Sequence, residues 1–143
     1  MKQRLLGLDF GLKRIGVALS DEGRLLARPH SLIEHRGWGP SARAVEELLA
    51  RLDAEYAVLG LPYDMNGDLG SQAQEALGFA EALRKKGIRV ELQDERLTSL
   101  EAEDILREQG HSWQQSKALV DQVAAALILQ AYLDSGRGQD KPM

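Results

Sequence analysis

The sequence predicts an α/β fold: a mixed five-stranded sheet whose first three strands form an antiparallel meander, with helices on both faces. Three observations predict it. Two apolar runs open the chain, Arg4–Asp9 and Ile15–Ser20, and the Phe10–Arg14 segment between them is short enough for a hairpin. Two later apolar runs, Tyr56–Leu61 and Ile88–Gln93, each follow a stretch with helical spacing. The chain then enters LVDQVAAALIL, whose apolar residues recur at the interval of one helix face.

Each element has its own signal. Arg4–Asp9 is nearly all apolar, as a central strand should be. Asp21-Glu22-Gly23 is a turn, and Arg24–Arg28 begins the third strand. His30–Pro40 reads as a surface loop that ends at a helix start, since proline suits the first helical turn. Val45, Leu48, Leu49 and Leu52 then form one helix face. Tyr56–Leu61 follows that helix, so it runs parallel to the first strand through a right-handed crossover. Pro62–Gly70 (PYDMNGDLG) is a loop by its Pro, Asn-Gly and Gly content. Ser71 with Gln74 matches a capping box, Ala73, Leu77, Ala80 and Leu83 give the helix face, and Gly87 ends it. Thr98 with Glu101 is a second capping-box match, opening a helix that Gly110 closes. The last helix starts between Ser112 and Lys117 and runs to about Asp134, with Val120, Val123, Ala124, Leu127, Ile128 and Ala131 as its expected buried stripe.

A chain of 143 residues fits one compact domain, expected over residues 1–135, with 136–143 as a flexible polar tail. Cysteine is absent, which excludes disulfides, thiolate metal sites and a Cys nucleophile, and suits a cytoplasmic location. No segment has the form of a secretory signal, and the longest apolar stretch, Ala124–Leu129, is too short for a bilayer, so no membrane partner is expected. The net charge of −4 argues against indiscriminate polyanion binding, yet leaves room for a local basic patch beside an acidic site.

Three acids stand out by position. Asp9 ends the first strand, Asp94 and Glu95 follow the fifth, and Asp121 lies inside an apolar helix. Parallel first and fifth strands would deliver Asp9 and Asp94/Glu95 to the same carboxyl edge, where open α/β sheets build their sites. The last helix packs on the sheet through residues adjoining Asp121, and the small Ala124 and Ala125 allow a close approach. Taken singly, each acid has an ordinary reading: a turn or helix cap, a solvated surface charge, or a salt bridge from Asp121 to Lys117. Taken together, like charges at one edge repel unless a cation joins them. Oxygen ligands without His or Cys suit Mg²⁺ or Mn²⁺, and two such ions are the usual device for phosphodiester hydrolysis. Spacing alone does not choose between Asp94 and Glu95.

These stretches carry a family resemblance. LLGLDFGLKRIGVALS followed by LARP resembles the opening of the YqgF/RuvX family. VLGLPYDMNGDLG, DERLTSLEAE and VDQVAAALILQAYL resemble its later motifs in the same order, so the match spans Leu5 to about Leu133. The resemblance implies a ribonuclease H-like fold and a metal-dependent nuclease site. Position by position, its acids fall on Asp9, Glu95 and Asp121, as catalytic residues and as ligands of two Mg²⁺ or Mn²⁺ ions, and no acid position is vacant. It implies nucleic-acid partners, described for the family both as Holliday junctions and as the 5′ end of the 16S rRNA precursor.

Lys13, Arg14 and Arg96 adjoin the acids and are candidate phosphate contacts, with ion pairing to those acids as the plain alternative. Tyr63 and Trp113 are candidate stacking surfaces, though packing is the simpler reading. Two other functions remain open. A non-catalytic nucleic-acid or ribosome-assembly module would bind without cutting. An actin-like phosphotransferase also opens with strand, Asp-x-Gly, strand, but needs two such lobes. Symmetric junction resolution needs two active sites whereas RNA trimming needs one, so monomer and homodimer both stay open.

Overall fold

The computed structural model describes residues 3–62, 70–95 and 113–139, the side chains of 113–118 apart. Its elements are β1 (Arg4–Asp9), β2 (Arg14–Ser20), β3 (Ala27–Glu34), α1 (Trp38–Arg51), β4 (Ala54–Leu61), α2 (Ser71–Lys85), β5 (Val90–Asp94) and α3 (Trp113–Asp134). The sheet order is β3-β2-β1-β4-β5. β1, β2 and β3 form the antiparallel meander, and β1, β4 and β5 run parallel. The expected mixed five-stranded architecture is therefore present, with β1 at its centre.

Strand alternation sorts the core into two layers. Leu6 and Leu8 of β1, Val17 of β2 and Leu59 of β4 point one way, onto Val45 and Leu48 of α1 and Phe79 and Leu83 of α2. Leu5, Ala18 and Val58 point the other way, onto Ala125, Ile128, Leu129 and Tyr132 of α3. Helices thus cover both faces. On the α3 face the buried hydroxyls of Tyr56 and Tyr132 bond each other at 2.8 Å.

Glycine lets α3 sit this close. A Cβ at Gly7 of β1 would lie 2.8 Å from the Ala125 carbonyl oxygen, and one at Gly16 of β2 only 1.9 Å from that of Asp121. Neither space exists for any other residue. Two glycines inside apolar strands are thus the mark of a helix backbone pressed on the sheet.

Several sequence expectations need correction. β3 does not begin at Arg24 but at Ala27, because Asp21 Oδ1 accepts the amides of Leu25 and Leu26 and prolongs the turn. It then runs to Glu34, through residues expected to form a loop. β3 is an edge strand with only Ile33 buried, so its sequence lacks apolar alternation, and Pro29 sits at a register irregularity that needs no ladder donor. The Ser71–Gln74 capping box is not formed: Gly70 is the N-cap, Ser71 is already helical, and no side chain caps the helix. Phe79, missed in the pattern, is fully buried. The stripe of α3 is partly turned from the expected one: Ala124 and Ile128 are buried as expected and Ala125, Leu129 and Tyr132 join them, whereas Ala131 is exposed and Val120, Val123 and Leu127 are half-buried. A helix apolar nearly all round gives no phase to read.

The start of the tail is docked, not loose. Arg24 is buried and donates to the carbonyls of Gln3 and Gly138 and to the Glu55 carboxylate. Gln139 Nε2 donates to the Gly23 and Arg24 carbonyls, and the Arg137 guanidinium lies 4.6 Å from the Tyr132 ring centre. The helix expected from Thr98 to Gly110 and the PYDMNGDLG loop core lie outside the described residues, as do residues 140–143.

The glycine seat has a direct test. Gly16→Ala should cost about 3 kcal/mol in urea unfolding, the upper range for overpacking. Gly39→Ala, where a Cβ meets nothing within 4 Å, should be neutral or slightly stabilising.

Candidate metal centre

Parallel pairing brings the carboxyl ends of β1, β4 and β5 to one edge of the sheet. Asp9 is the last residue of β1, on the same strand face as Leu5 and Gly7, so it points towards α3. Glu95 follows β5 and extends its ladder, its N–H donating to the Leu61 carbonyl at 3.1 Å. Alternation turns Glu95 to the α3 side and leaves Asp94 exposed. That geometry decides between the two adjacent acids, which spacing had left open.

β4 lies between β1 and β5, so Glu95 must reach across it. It does so over Gly60, where a Cβ would be 2.7 Å from Glu95 Oε2 and 2.5 Å from Ile128 Cδ1. Gly60 was not singled out in the sequence, although a glycine at the penultimate position of a strand, on the helix-facing side, is the available signal. The result is a hydrogen bond between the Asp9 and Glu95 carboxyl groups, both of them buried.

Two buried acids in contact cannot both stay ionised at ordinary cost. Burial, then the Asp9 charge and the hydrogen bond to it, push Glu95 up to about 10. Asp9 is raised to about 6, chiefly by burial, with the Glu95 hydrogen bond opposing and the Asp121 charge adding. Burial and mutual repulsion therefore favour one shared proton on the pair at neutral pH.

Asp121 stands on the first described buried turn of α3, above Gly16, which is paired in register with Asp9. Its charge acts on both other acids. Its carboxylate, however, accepts a hydrogen bond from Arg14 Nε, with Oδ2 at 2.6 Å. Of the three expected ligands, two are thus in contact and the third is held beside them by a cation. Among the described residues no three His, Cys, Asp or Glu side chains are gathered as an ion's complete ligand set. The donor chemistry nevertheless fits a hard divalent cation. Asp9 and Glu95 offer carboxylate oxygens, and their shared proton occupies the place a cation's charge would fill.

The other expected contacts divide. Lys13 and Arg14 line a cleft of about 340 Å³ together with Gly11, Leu12, Gln72 and Asp121. Gln72, at the start of α2, was not anticipated. Lys117, offered as a partner for Asp121, has its side chain outside the described residues, and Arg96, Tyr63 and the Trp113 side chain lie outside them too.

Residues 3–135 match the profile of a family described as RuvX: Holliday junction resolvase. The chain belongs to the RuvX family. Its relatives include two proteins named "Putative pre-16S rRNA nuclease". That of Syntrophomonas wolfei is 44% identical over 134 residues, 93% of this chain and 95% of the relative. That of an Anaeromyxobacter species is 46% identical over 132 residues, 92% and 96% of the two chains. Among solved structures, Thermus thermophilus RuvC bound to a Holliday junction superposes with a TM-score of 0.59 at 20% identity, covering 98% of this chain and 99% of that one. The fowlpox virus resolvase with junction DNA gives a TM-score of 0.53 at 12% identity, over 92% and 97%. At such identities the likeness is one of fold, and the fold of this RuvX chain is ribonuclease H-like.

The acid pair makes stability depend on pH in a defined direction. Carboxyls raised in the fold favour their neutral form, so their stabilising share is complete below the unfolded values near 4 and is lost as pH rises through the folded ones. Glu95→Gln keeps the neutral shape without the proton. In EDTA it should melt with wild type at pH 4.5 and pull ahead as pH rises, by about 5 °C at pH 8. A constant offset between pH 4.5 and 8 would mean that Glu95 is not paired as described.

Proposed function

We propose that this protein is a divalent-metal-dependent endonuclease that hydrolyses phosphodiester bonds in structured nucleic acid. The observation that carries the reading is the buried Asp9–Glu95 pair at the carboxyl edge of the sheet, with Asp121 beside it. A pair of acids without a cation is costly to the fold, and a site for Mg²⁺ or Mn²⁺ explains why it is kept. Family membership and the names of the relatives support the same activity, and those names supply the two substrates to be tested: pre-16S rRNA and the four-way DNA junction.

In this mechanism Asp9, Glu95 and Asp121 are the residues that would hold the ions. The chemistry those ions supply is activation of the attacking water and charge stabilisation at the leaving oxygen. Ion binding would require both carboxylates ionised, so filling the site would be coupled to release of the proton that Asp9 and Glu95 share. Lys13 and Arg14, on the rim of the cleft, receive backbone phosphates and set the strand's position, and Arg96 is assigned the same role.

Side-by-side incubation of a synthetic four-way junction and a precursor-16S rRNA fragment, each with Mg²⁺, Mn²⁺ or EDTA, tests the reading and chooses the substrate. Cleavage should need the metal and fall about 10³-fold or more in Asp9→Asn. Cleavage retained in EDTA or in Asp9→Asn rejects the assignment, and binding of either probe without cleavage would favour the non-catalytic module.

A further inference from the structure

Arg14 and Asp121 are each asked to do two things. Arg14 opens β2 and lines the cleft where a phosphate would lie, yet its Nε is 2.6 Å from Asp121 Oδ2. Asp121 stands over Gly16, the register partner of Asp9, and its charge adds to the upward shift of both acids, yet its carboxylate accepts from Arg14. The α3 backbone at Asp121 is pinned on Gly16, so the choice between partners is a choice of side-chain rotamer, with no helix movement needed. The ion pair is short and charge-assisted, but 37% and 28% of the two side chains remain exposed, so water screens it and its partners can exchange.

We propose that Arg14 is a positioning residue that holds Asp121 out of the metal centre until nucleic acid arrives. A backbone phosphate entering the cleft takes the guanidinium, and the released Asp121 carboxylate turns to complete the ion's ligand set. This inference rests on the metal-dependent nuclease reading above and adds an order of events to it. Metal binding and phosphate binding then reinforce each other, because each frees one half of the same ion pair. The site is fully charged with metal only when there is something to cut.

Calorimetric titration of the full-length protein with Mn²⁺ alone tests it. Arg14→Gln should bind Mn²⁺ about tenfold more tightly than wild type, since Asp121 is no longer occupied. Arg14→Lys, which keeps the charge but loses the planar fork, should tighten binding about threefold. Lys13→Gln removes the same charge from the same cleft without touching Asp121, and should stay within about twofold. Adding the four-way junction should raise the Mn²⁺ affinity of wild type and raise that of Arg14→Gln much less. Unchanged or weakened Mn²⁺ binding in the Arg14 variants, or equal tightening in Lys13→Gln, overturns the proposal. If Arg14→Gln does not fold, the ordering of Arg14→Lys and Lys13→Gln decides. Failure of wild type to bind Mn²⁺ any better than Asp9→Asn would instead remove the metal reading, and this inference with it.

Discussion

The seating of α3 on bare strand backbone is the constraint from which the rest follows. A helix packed on ordinary strand side chains stands off the sheet by the length of those side chains. Here Gly7 and Gly16 remove that layer, and the helix carbonyls at Ala125 and Asp121 come down to where a Cβ would be. The buried turn that begins at Asp121 is therefore placed directly against β2, across from the end of β1. Gly60 performs the complementary service on β4 by leaving open the path along which Glu95 reaches Asp9. Three absent side chains, on three neighbouring strands, make room for three carboxylates drawn from distant parts of the chain.

The fold's treatment of its other buried ion shows that the acid pair is not a failure of compensation. Arg24 is more deeply buried than either acid, and it is matched by two carbonyls, the Glu55 carboxylate and the face of Tyr56 at 5.6 Å. That end of the sheet fastens the N-terminal residues, the β2–β3 turn and the docked tail into one unit, and its electrostatics are closed. At the opposite edge, among the described residues, Asp9 and Glu95 answer each other by sharing a proton. Among the described residues no buried side-chain polar atom lacks a partner, so hydrogen bonding is satisfied at both ends while charge is satisfied at one. The difference between the two ends is what marks the acid edge as a place for a ligand and the Arg24 end as structure.

Much of this was legible beforehand because it depends on local chemistry and strand order. Strands buried on both faces read as apolar runs, and the expected parallel pairing puts Asp9 and the Asp94/Glu95 couple at one edge, with Glu95 singled out by the family resemblance alone. What escaped was whatever depends on an interval that the pattern does not encode. The edge strand β3 buries only Ile33, so His30–Glu34 looked like a loop. The phase of α3 was hidden by a sequence apolar on nearly every side, although Asp121 itself is the clue: i, i+4, i+8 from it gives Asp121, Ala125 and Leu129, the true stripe. The Arg14–Asp121 contact spans 107 residues and has no sequence signal beyond opposite charge. Gly60 and Gly16 were visible as glycines in strands, but what each makes room for is defined only by the partner that arrives there.

Among the described residues the acid edge carries Asp9, Glu95 and Asp121, with Asp94 exposed beside them, and two devices offset the first three: the proton shared by Asp9 and Glu95 and the guanidinium of Arg14. These devices differ in what removes them. The proton leaves when a competing cation offers more, and so reports on metal. The guanidinium leaves when a competing anion offers more, and so reports on the nucleic-acid backbone. A site offset by protons alone would charge with metal whenever metal is present. One offset by arginine alone would open for any phosphate. Under the proposed exchange, using one of each would make the complete ligand set conditional on both, with side chains changing partners while the helix beneath Asp121 stays seated on Gly16. The rigidity of the glycine seat and the exchangeability of the half-exposed ion pair are therefore parts of one arrangement: the backbone fixes where the carboxylates can meet, and the charges decide when they do.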